Sequence, residues 1–324
     1  MPLVPEETIR ALVSSYASLV DRAGEFVDGH LVEPDKKHFP DEYKGDLESV
    51  QGFFKRMLSY SALDEETSYE LQFIEQQASE DGSSKGGCSS GGCSTGAGKA
   101  GPNLMIERDA SGHYSLGVNV ADASDSMVLA TSYARLLGAM TLEEAGGLAK
   151  GLGPRRVAAP DATTLGVESE IAAIFSGFGI LLAEGSCVYS KSCGGLKSHQ
   201  ATFLSVDEIA LLLSVYVRQH GLSPSVVRKY LSTTQSESFA EALAWVDSNP
   251  KLMRSLANAP QSVASGFFEI EGKKGLFSRL FSRSSESEPG LESLQVRVTE
   301  KSKHFAEAKR LVSEALEEDD RSTV

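Results

Sequence analysis

Hydrophobic residues recur at helical spacing through most of the chain. The pattern predicts an amphipathic helix from Glu6 to about Asp28 and a second one from about Leu47 to Tyr60. Helical periodicity returns in five later segments, which are Ser126–Leu142, Val167–Leu182, Val206–His220, Pro224–Leu231 and Phe239–Leu256. The pattern therefore favours a protein that is mostly helical.

Three short segments alternate between apolar and polar residues instead. They are Tyr69–Glu75, Asn103–Arg108 and His113–Val120, and each is typical of a half-buried strand. Asp109–Gly112 is a suitable turn between the last two, so we expect them to form a hairpin. With the helices, these strands predict an α+β fold with a small sheet.

Two polar regions interrupt the hydrophobic pattern and suggest how the chain is divided. Gly82–Gly101 is a Gly/Ser-rich insert that cannot bury a core, so we expect it to be mobile and dispensable for the fold. Ser282–Pro289 reads as a solvated linker before a charged C-terminal helix. We place a domain boundary near residue 262, with an α+β domain over 1–262 and a helical tail over 263–324.

Composition excludes several classes of function. The chain has 324 residues, of which 41% are hydrophobic, and a net charge of −14. That charge argues against nucleic acid and favours a basic protein partner. The N-terminus lacks the pattern of a signal peptide, and no apolar stretch approaches the roughly 18 residues of a membrane span. We expect a cytoplasmic protein without a transmembrane segment.

The four cysteines form two pairs with wide spacing. Cys88 and Cys93 lie in the insert, Cys187 and Cys193 stand near a second glycine pair, and His199 follows. Four thiolates, or thiolates with a histidine, are ligands that zinc prefers. Because neither pair has the usual Cys-x-x-Cys spacing, we favour ordinary thiols in flexible loops, and a zinc or redox site is the alternative.

One stretch has the order of elements found in a metallopeptidase core. A predicted strand begins at His113, a helix contains Ala130-Thr-Ser-Tyr-Ala-Arg-Leu-Leu-Gly-Ala139, and a later helix starts with Glu168-Ser-Glu170. This stretch resembles the zinc-dependent metallopeptidases (zincins), and more closely an uncharacterised bacterial zincin-like family. The resemblance implies a zincin-like core.

The catalytic motif of that family is lost. A zincin carries His-Glu-Leu-Gly-His on the first helix, where two histidines hold zinc and the glutamate polarises a bound water. The ligand positions here hold Arg135 and Ala139, and the base position holds Leu136. Only Leu137-Gly138 survives. Arginine has no lone pair and alanine has no donor atom, so the resemblance implies a core without catalysis.

The resemblance also implies a role for the later acidic helix. Glu168 or Glu170 stands where a third metal ligand would lie, and we expect Arg135 and Ala139 to face one of them. An Arg135–Glu170 ion pair could then replace the metal electrostatically. An ordinary amphipathic helix explains the same residue pattern and also predicts no chemistry at this site.

The segment 273–283 is basic and amphipathic within an otherwise acidic chain. Its cationic residues include Lys273 and Lys274, and its apolar stripe consists of Leu276, Phe277, Leu280 and Phe281. Such a helix can contact an anionic membrane weakly or dock into a partner groove. Packing on the protein's own core is the simpler interpretation.

These observations predict a non-catalytic binding or scaffold protein with a degenerate metallopeptidase-like core. No catalytic residue is assigned, and no cofactor is expected unless the cysteines hold zinc. The alternatives are a zinc or redox protein that uses the four cysteines and an adaptor that acts through residues 273–283.

Overall fold

The computed structural model describes residues 4–23, 29–74, 104–146, 159–192 and 195–271. The helices are α1 (Glu6–Ala23), α2 (Leu47–Leu58), α3 (Ser126–Glu144), α4 (Ala159–Phe175), α5 (Gly179–Gly185), α6 (Val206–Gln219), α7 (Pro224–Arg228), α8 (Thr233–Asp247), α9 (Pro250–Asn258) and α10 (Pro260–Ala264). The strands are β1 (Tyr69–Ile74), β2 (Met105–Arg108), β3 (Tyr114–Asn119), β4 (Val188–Ser192) and β5 (Gly195–His199). The expectation of a mostly helical α+β protein with a small sheet is confirmed.

The larger sheet has three strands in the order β1-β3-β2. β2 and β3 form the predicted hairpin, with Met105 opposite Gly117. The Asp109 carboxylate holds the turn by accepting hydrogen bonds from the Ser111 and His113 amides, at 2.8 and 2.9 Å. β1 lies on the other side of β3 and runs parallel to it, which the local pattern did not predict.

One face of the sheet packs against helices. Tyr114, Leu116 and Val118 alternate along β3 and are buried, as a half-buried strand requires. The Tyr114 hydroxyl donates to Glu144 at the end of α3, at 2.8 Å. Phe54 of α2 lies 4.8 Å from the Tyr69 ring, and further aromatic contacts extend this core. The sheet is thereby fixed to α2 and α3.

α3 and α4 lie at the centre of the fold and approach each other closely. Most of α3 is buried, and Asp125 caps its N-terminus by accepting from the Met127 amide at 2.8 Å. A Cβ at Gly138 would collide with the Ser169 carbonyl oxygen and lie 2.8 Å from the Ala173 nitrogen of α4. Only glycine therefore permits this contact between the two helices.

The predicted helix Val167–Leu182 is wrong as a single element. α4 begins earlier, at Ala159, and the chain turns at Gly177, whose φ of 91° is left-handed. The Gly177 carbonyl accepts from the Val32 amide at 3.0 Å, and a Cβ at this position would collide with the His30 carbonyl. The segment at His30–Val32 thus requires a break in the helix at Gly177, and α5 begins after this break.

The predicted helix Phe239–Leu256 is also two elements. α8 begins at Thr233, where Ser232 and Gln235 form a capping box, and it ends at Asp247. Pro250 then opens α9, because a proline has no amide to continue the preceding helix. The Asn249 side chain closes the junction by donating to the Trp245 carbonyl at 2.8 Å.

The hairpin β4–β5 was not predicted from the sequence. Its register pairs Val188 with His199 and Ser192 with Gly195. Its residues are mostly polar and small, so they lack the β-branched and aromatic enrichment that indicates a strand.

The packed body continues past the boundary expected near residue 262. Val263 of α10 is fully buried, and its carbonyl accepts from the Ser14 hydroxyl of α1 at 3.0 Å. The Phe268 carbonyl accepts from the Arg10 guanidinium at 2.8 Å. Contacts group Met1–Lys273 into one compact unit. The predicted insert and most of the predicted tail lie outside the described residues.

Across the described parts of the chain, no helix combines the length and the apolarity that a membrane crossing requires.

Candidate functional site

The candidate site is a buried pair formed by Arg135 of α3 and Glu170 of α4. The Arg135 Nε atom lies 3.0 Å from Glu170 Oε1. The two side chains are only 2% and 0% exposed. The ion pair expected from the spacing of the two helices is therefore present. Segment 113–180 also contains the expected strand, β3, and the two expected helices, α3 and α4.

The pair makes further hydrogen bonds with the backbone of the segment that leads into α6. Glu170 Oε1 also accepts from the Phe203 amide at 2.9 Å, and Oε2 accepts from the Leu204 amide at 2.8 Å. Arg135 Nη2 donates to the Ala201 carbonyl, and the guanidinium lies 5.3 Å from the Phe203 ring centroid. The pair thus joins α3, α4 and the segment that leads into α6.

The segment 201–205 is held in place on both sides. The Ala201 amide donates to the Gly185 carbonyl at the end of α5, at 2.9 Å. Ser205 caps α6 through a reciprocal capping box with Glu208. The amides that contact Glu170 therefore belong to a segment that other contacts already fix. Little further conformational entropy is lost when they donate to the carboxylate.

At the Arg135–Glu170 site, which we call the centre, burial and neighbouring groups have opposite effects on the pKa of the carboxyls. Burial raises the pKa of the Glu170 carboxyl, whereas Arg135 and the Leu204 and Phe203 amides oppose that rise. A second carboxyl, Asp122, lies near the same guanidinium: burial raises its pKa, and Ser132 and Arg135 oppose this. Its Oδ2 atom accepts from the Ser132 hydroxyl at 2.6 Å.

This geometry leaves no free metal-binding group at Arg135, Leu136, Ala139 or Glu170. Both Glu170 oxygens accept hydrogen bonds, and a guanidinium has no lone pair to offer a metal. Leu136 is 3% exposed and Ala139 is fully buried, so both pack in the core. Nowhere in the described ranges do three or more histidine, cysteine, aspartate or glutamate residues come together as a metal site. What the pair does is fix three elements relative to one another.

Glu168 lies apart from this centre. It lines a cavity of about 230 Å³ together with Arg22 and with Ser14, Ser15 and Ser18 of α1. Burial raises the pKa of the Glu168 carboxyl, and Arg22 opposes this. Of the two acidic candidates, only Glu170 meets Arg135.

The structure brings two of the proposed zinc ligands to one end of a hairpin. Cys187 is a free, partly exposed thiol that directly precedes β4, and the β4 residue Val188 pairs with His199 of β5. The other cysteines, Cys88, Cys93 and Cys193, lie outside the described residues. The same holds for the basic segment 273–283. The zinc and adaptor hypotheses both stay predictions.

Sequence reasoning missed the backbone half of the centre. The groups from Ala201, Phe203 and Leu204 are main-chain atoms, which every residue other than proline carries in full. No residue type at these positions signals that they bind a carboxylate. The only hint was the nearby Ser205-x-x-Glu208 capping signature, which predicts a helix start but not its partner.

Comparisons with protein-family models, with curated proteins and with solved structures gave no match to this chain. The resemblance to the zincins therefore stays a prediction that rests on its own residues.

Proposed function

We propose that this protein is a non-catalytic binding protein that works in the cytoplasm on a basic protein partner. One observation carries the proposal. At the positions where a zincin needs metal ligands, a buried Arg135–Glu170 pair satisfies its charges and hydrogen bonds within the protein.

Catalysis requires a group that a substrate can reach. A general base must come within hydrogen-bond reach of the proton it takes, and a metal ligand must keep a lone pair for the ion. Glu170 is 0% exposed and already accepts three hydrogen bonds. These facts support a structural role for the centre and leave function to the protein surface.

The charge of the chain supports the choice of partner. Lys and Arg number 31 against 45 Asp and Glu. A protein surface with this excess attracts cationic proteins and repels nucleic acid, whose backbone is anionic.

A zinc or redox protein that uses the cysteines is the second candidate, and the hairpin register supports its zinc form. The pairing of Val188 with His199 brings the backbone of Cys187 close to that of His199, so two candidate ligands of a mixed Cys/His site belong to the same end of β4–β5.

Elemental analysis of the purified full chain, combined with a peptide-hydrolysis assay, tests the proposal. We expect no stoichiometric zinc, and no hydrolysis that responds to added zinc or to a chelator. The control is the variant Cys187→Ser with Cys193→Ser. Stoichiometric zinc that disappears in this variant would favour the second candidate, and chelator-sensitive hydrolysis by the wild type would overturn the first.

A further inference from the structure

A surface cleft lies between α2 and the segment that precedes it. Its volume is about 330 Å³, near the lower end of the roughly 300–1,000 Å³ that is usual for ligand pockets. We call it the α2 cleft, and it is lined by residues of the ranges 39–49 and 52–56. A space of this size suits one long side chain or a small molecule.

Aromatic rings form the apolar wall of the α2 cleft. The Phe39 and Phe53 ring centroids are 4.9 Å apart, and those of Tyr43 and Phe53 are 5.9 Å apart. All three rings are only partly buried. Phe53 also contacts the ring of Tyr133 in the core, at 5.9 Å. The wall is thus rigid and still accessible from the cleft.

The rest of the preceding segment is fixed as well. The Tyr43 hydroxyl donates to the Ala123 carbonyl, and Asp46 caps α2 by accepting from the Ser49 amide at 2.8 Å. Gly45 makes the turn between them with a left-handed φ of 73°. The cleft is therefore formed before any ligand arrives.

Carboxylates dominate the rim. Four acidic residues line the cleft, namely Asp41, Glu42, Asp46 and Glu48, against two basic ones, Lys44 and Arg56. Arg56 pairs with Asp41 at 3.4 Å. Within the described part of the chain, Glu42 and Glu48 form no ion pair. Two exposed carboxylates are thus left beside an aromatic wall.

We propose that the α2 cleft binds a lysine side chain in a segment of a basic partner protein. An alkylammonium group is attracted both by the faces of aromatic rings and by carboxylates, and its carbon stem packs on apolar surface. This inference rests on the proposed function, because it names the surface at which the basic partner docks.

The surroundings of the cleft favour a polypeptide over a free amine. Leu47 stands between Asp46 and Glu48 and is 58% exposed, so it offers an apolar contact to the residue beside the bound lysine. The net charge of −14 adds a long-range attraction that grows with the charge of the partner.

Binding of a fluorescein-labelled peptide with two lysines to the full chain, followed by anisotropy, tests the proposal. We expect saturable binding that weakens as salt rises. Acetylation of both lysines removes their charge and should weaken binding by about tenfold or more. Equal binding of the acetylated peptide would overturn the proposal, as would a wild-type protein that does not bind.

Two variants locate the bound peptide. Gly52 lines the cleft, and a Cβ at this position would meet nothing within 4 Å, so the side chain of Gly52→Leu starts in open space and occupies part of the cleft. Glu48→Lys reverses a rim charge. Each should weaken binding by about tenfold or more. The matched control is Glu237→Lys on α8, an exposed position away from the cleft lining, which should change the dissociation constant by less than about twofold.

If Gly52→Leu binds as the wild type does while circular dichroism shows it folded, the peptide binds elsewhere and the assignment is wrong. A free butylammonium ion that displaces the peptide at equal concentration would overturn the choice of a polypeptide. Neither result affects the zinc and hydrolysis measurements, so the cleft can fail while the proposed function stands.

Discussion

Arg135 and Glu170 should depend strongly on each other in their contributions to the free energy of unfolding. Glu170→Gln keeps the shape of the side chain and removes its charge. The amide then has one acceptor oxygen where the carboxylate had two, so it cannot accept from Arg135 and from both the Phe203 and Leu204 amides. We expect a loss of about 3–5 kcal/mol, because a guanidinium that is 2% exposed loses the carboxylate that is hydrogen-bonded to it.

Arg135→Met removes the other partner and should also destabilise the protein by about 3 kcal/mol or more, since a buried carboxylate keeps only the two backbone donors. In the double variant neither buried charge remains. Its loss should be smaller than the sum of the single losses by about 2 kcal/mol.

An exposed pair in the same protein is the control. Arg218 and Asp247 form two hydrogen bonds of 2.7 Å, but their side chains are 34% and 49% exposed. Arg218→Met with Asp247→Asn should show a coupling of only about 0.2–1 kcal/mol. Urea unfolding, followed by circular dichroism and by the fluorescence of the single tryptophan, Trp245, measures both cycles. A coupling at 135–170 no larger than that of the exposed pair would refute the argument that burial strengthens this interaction.

Three further outcomes are expected. Gly52→Ala should raise the free energy of unfolding by about 0.5–1 kcal/mol, because alanine favours the helix and its Cβ meets open space. Gly138→Ala should lower the free energy of unfolding by about 1–3 kcal/mol, because its Cβ collides with α4. Equal effects of the two variants in urea titrations would contradict this. Burial raises the pKa of Glu184 to about 7, above its value of 4.5 when unfolded, so its stabilising contribution is complete below pH 4.5 and is lost as pH rises through 7. Glu184→Gln should therefore unfold at higher temperature than the wild type at about pH 8 and show no such gain in acid, and an equal shift at both pH values would contradict the assignment. A chain that ends at residue 271 should melt higher than one that ends at 262, because the shorter chain loses the buried Val263 and the bond from the Glu271 amide to Asn249, and equal melting temperatures would restore the earlier boundary.

The parts of the fold that depend on neighbouring residues could be predicted from the sequence. Helical periodicity placed α2, α3 and α6 close to their observed bounds, and the turn residues after Asp109 predicted the hairpin β2–β3. Parallel pairing of β1 with β3 could not be predicted in this way, since it joins segments about 45 residues apart with no local signal.

The candidate site, too, could be predicted only in part from the sequence. Charge and spacing predicted that Arg135 would meet Glu168 or Glu170, because these positions belong to long helices whose faces can be followed along the sequence. The choice between Glu168 and Glu170, and the amides that complete the site, depend on how α4 rotates against α3 and on where residues 201–205 return. Those are properties of tertiary packing.

The strand order also determines how much chain the sheet can carry between β1 and β2. β1 is parallel and β2 antiparallel to β3, so Ile74 and Met105 lie at the same end of the sheet, two strand spacings or roughly 10 Å apart. A dozen extended residues reach about 40 Å, so removing 83–100 would still leave a connection long enough to span that gap. The closure entropy changes only with the logarithm of length, about 0.8 kcal/mol between 30 and 12 residues. This junction should therefore accept a shortened loop, a tag or an inserted domain without disturbing the register of the sheet.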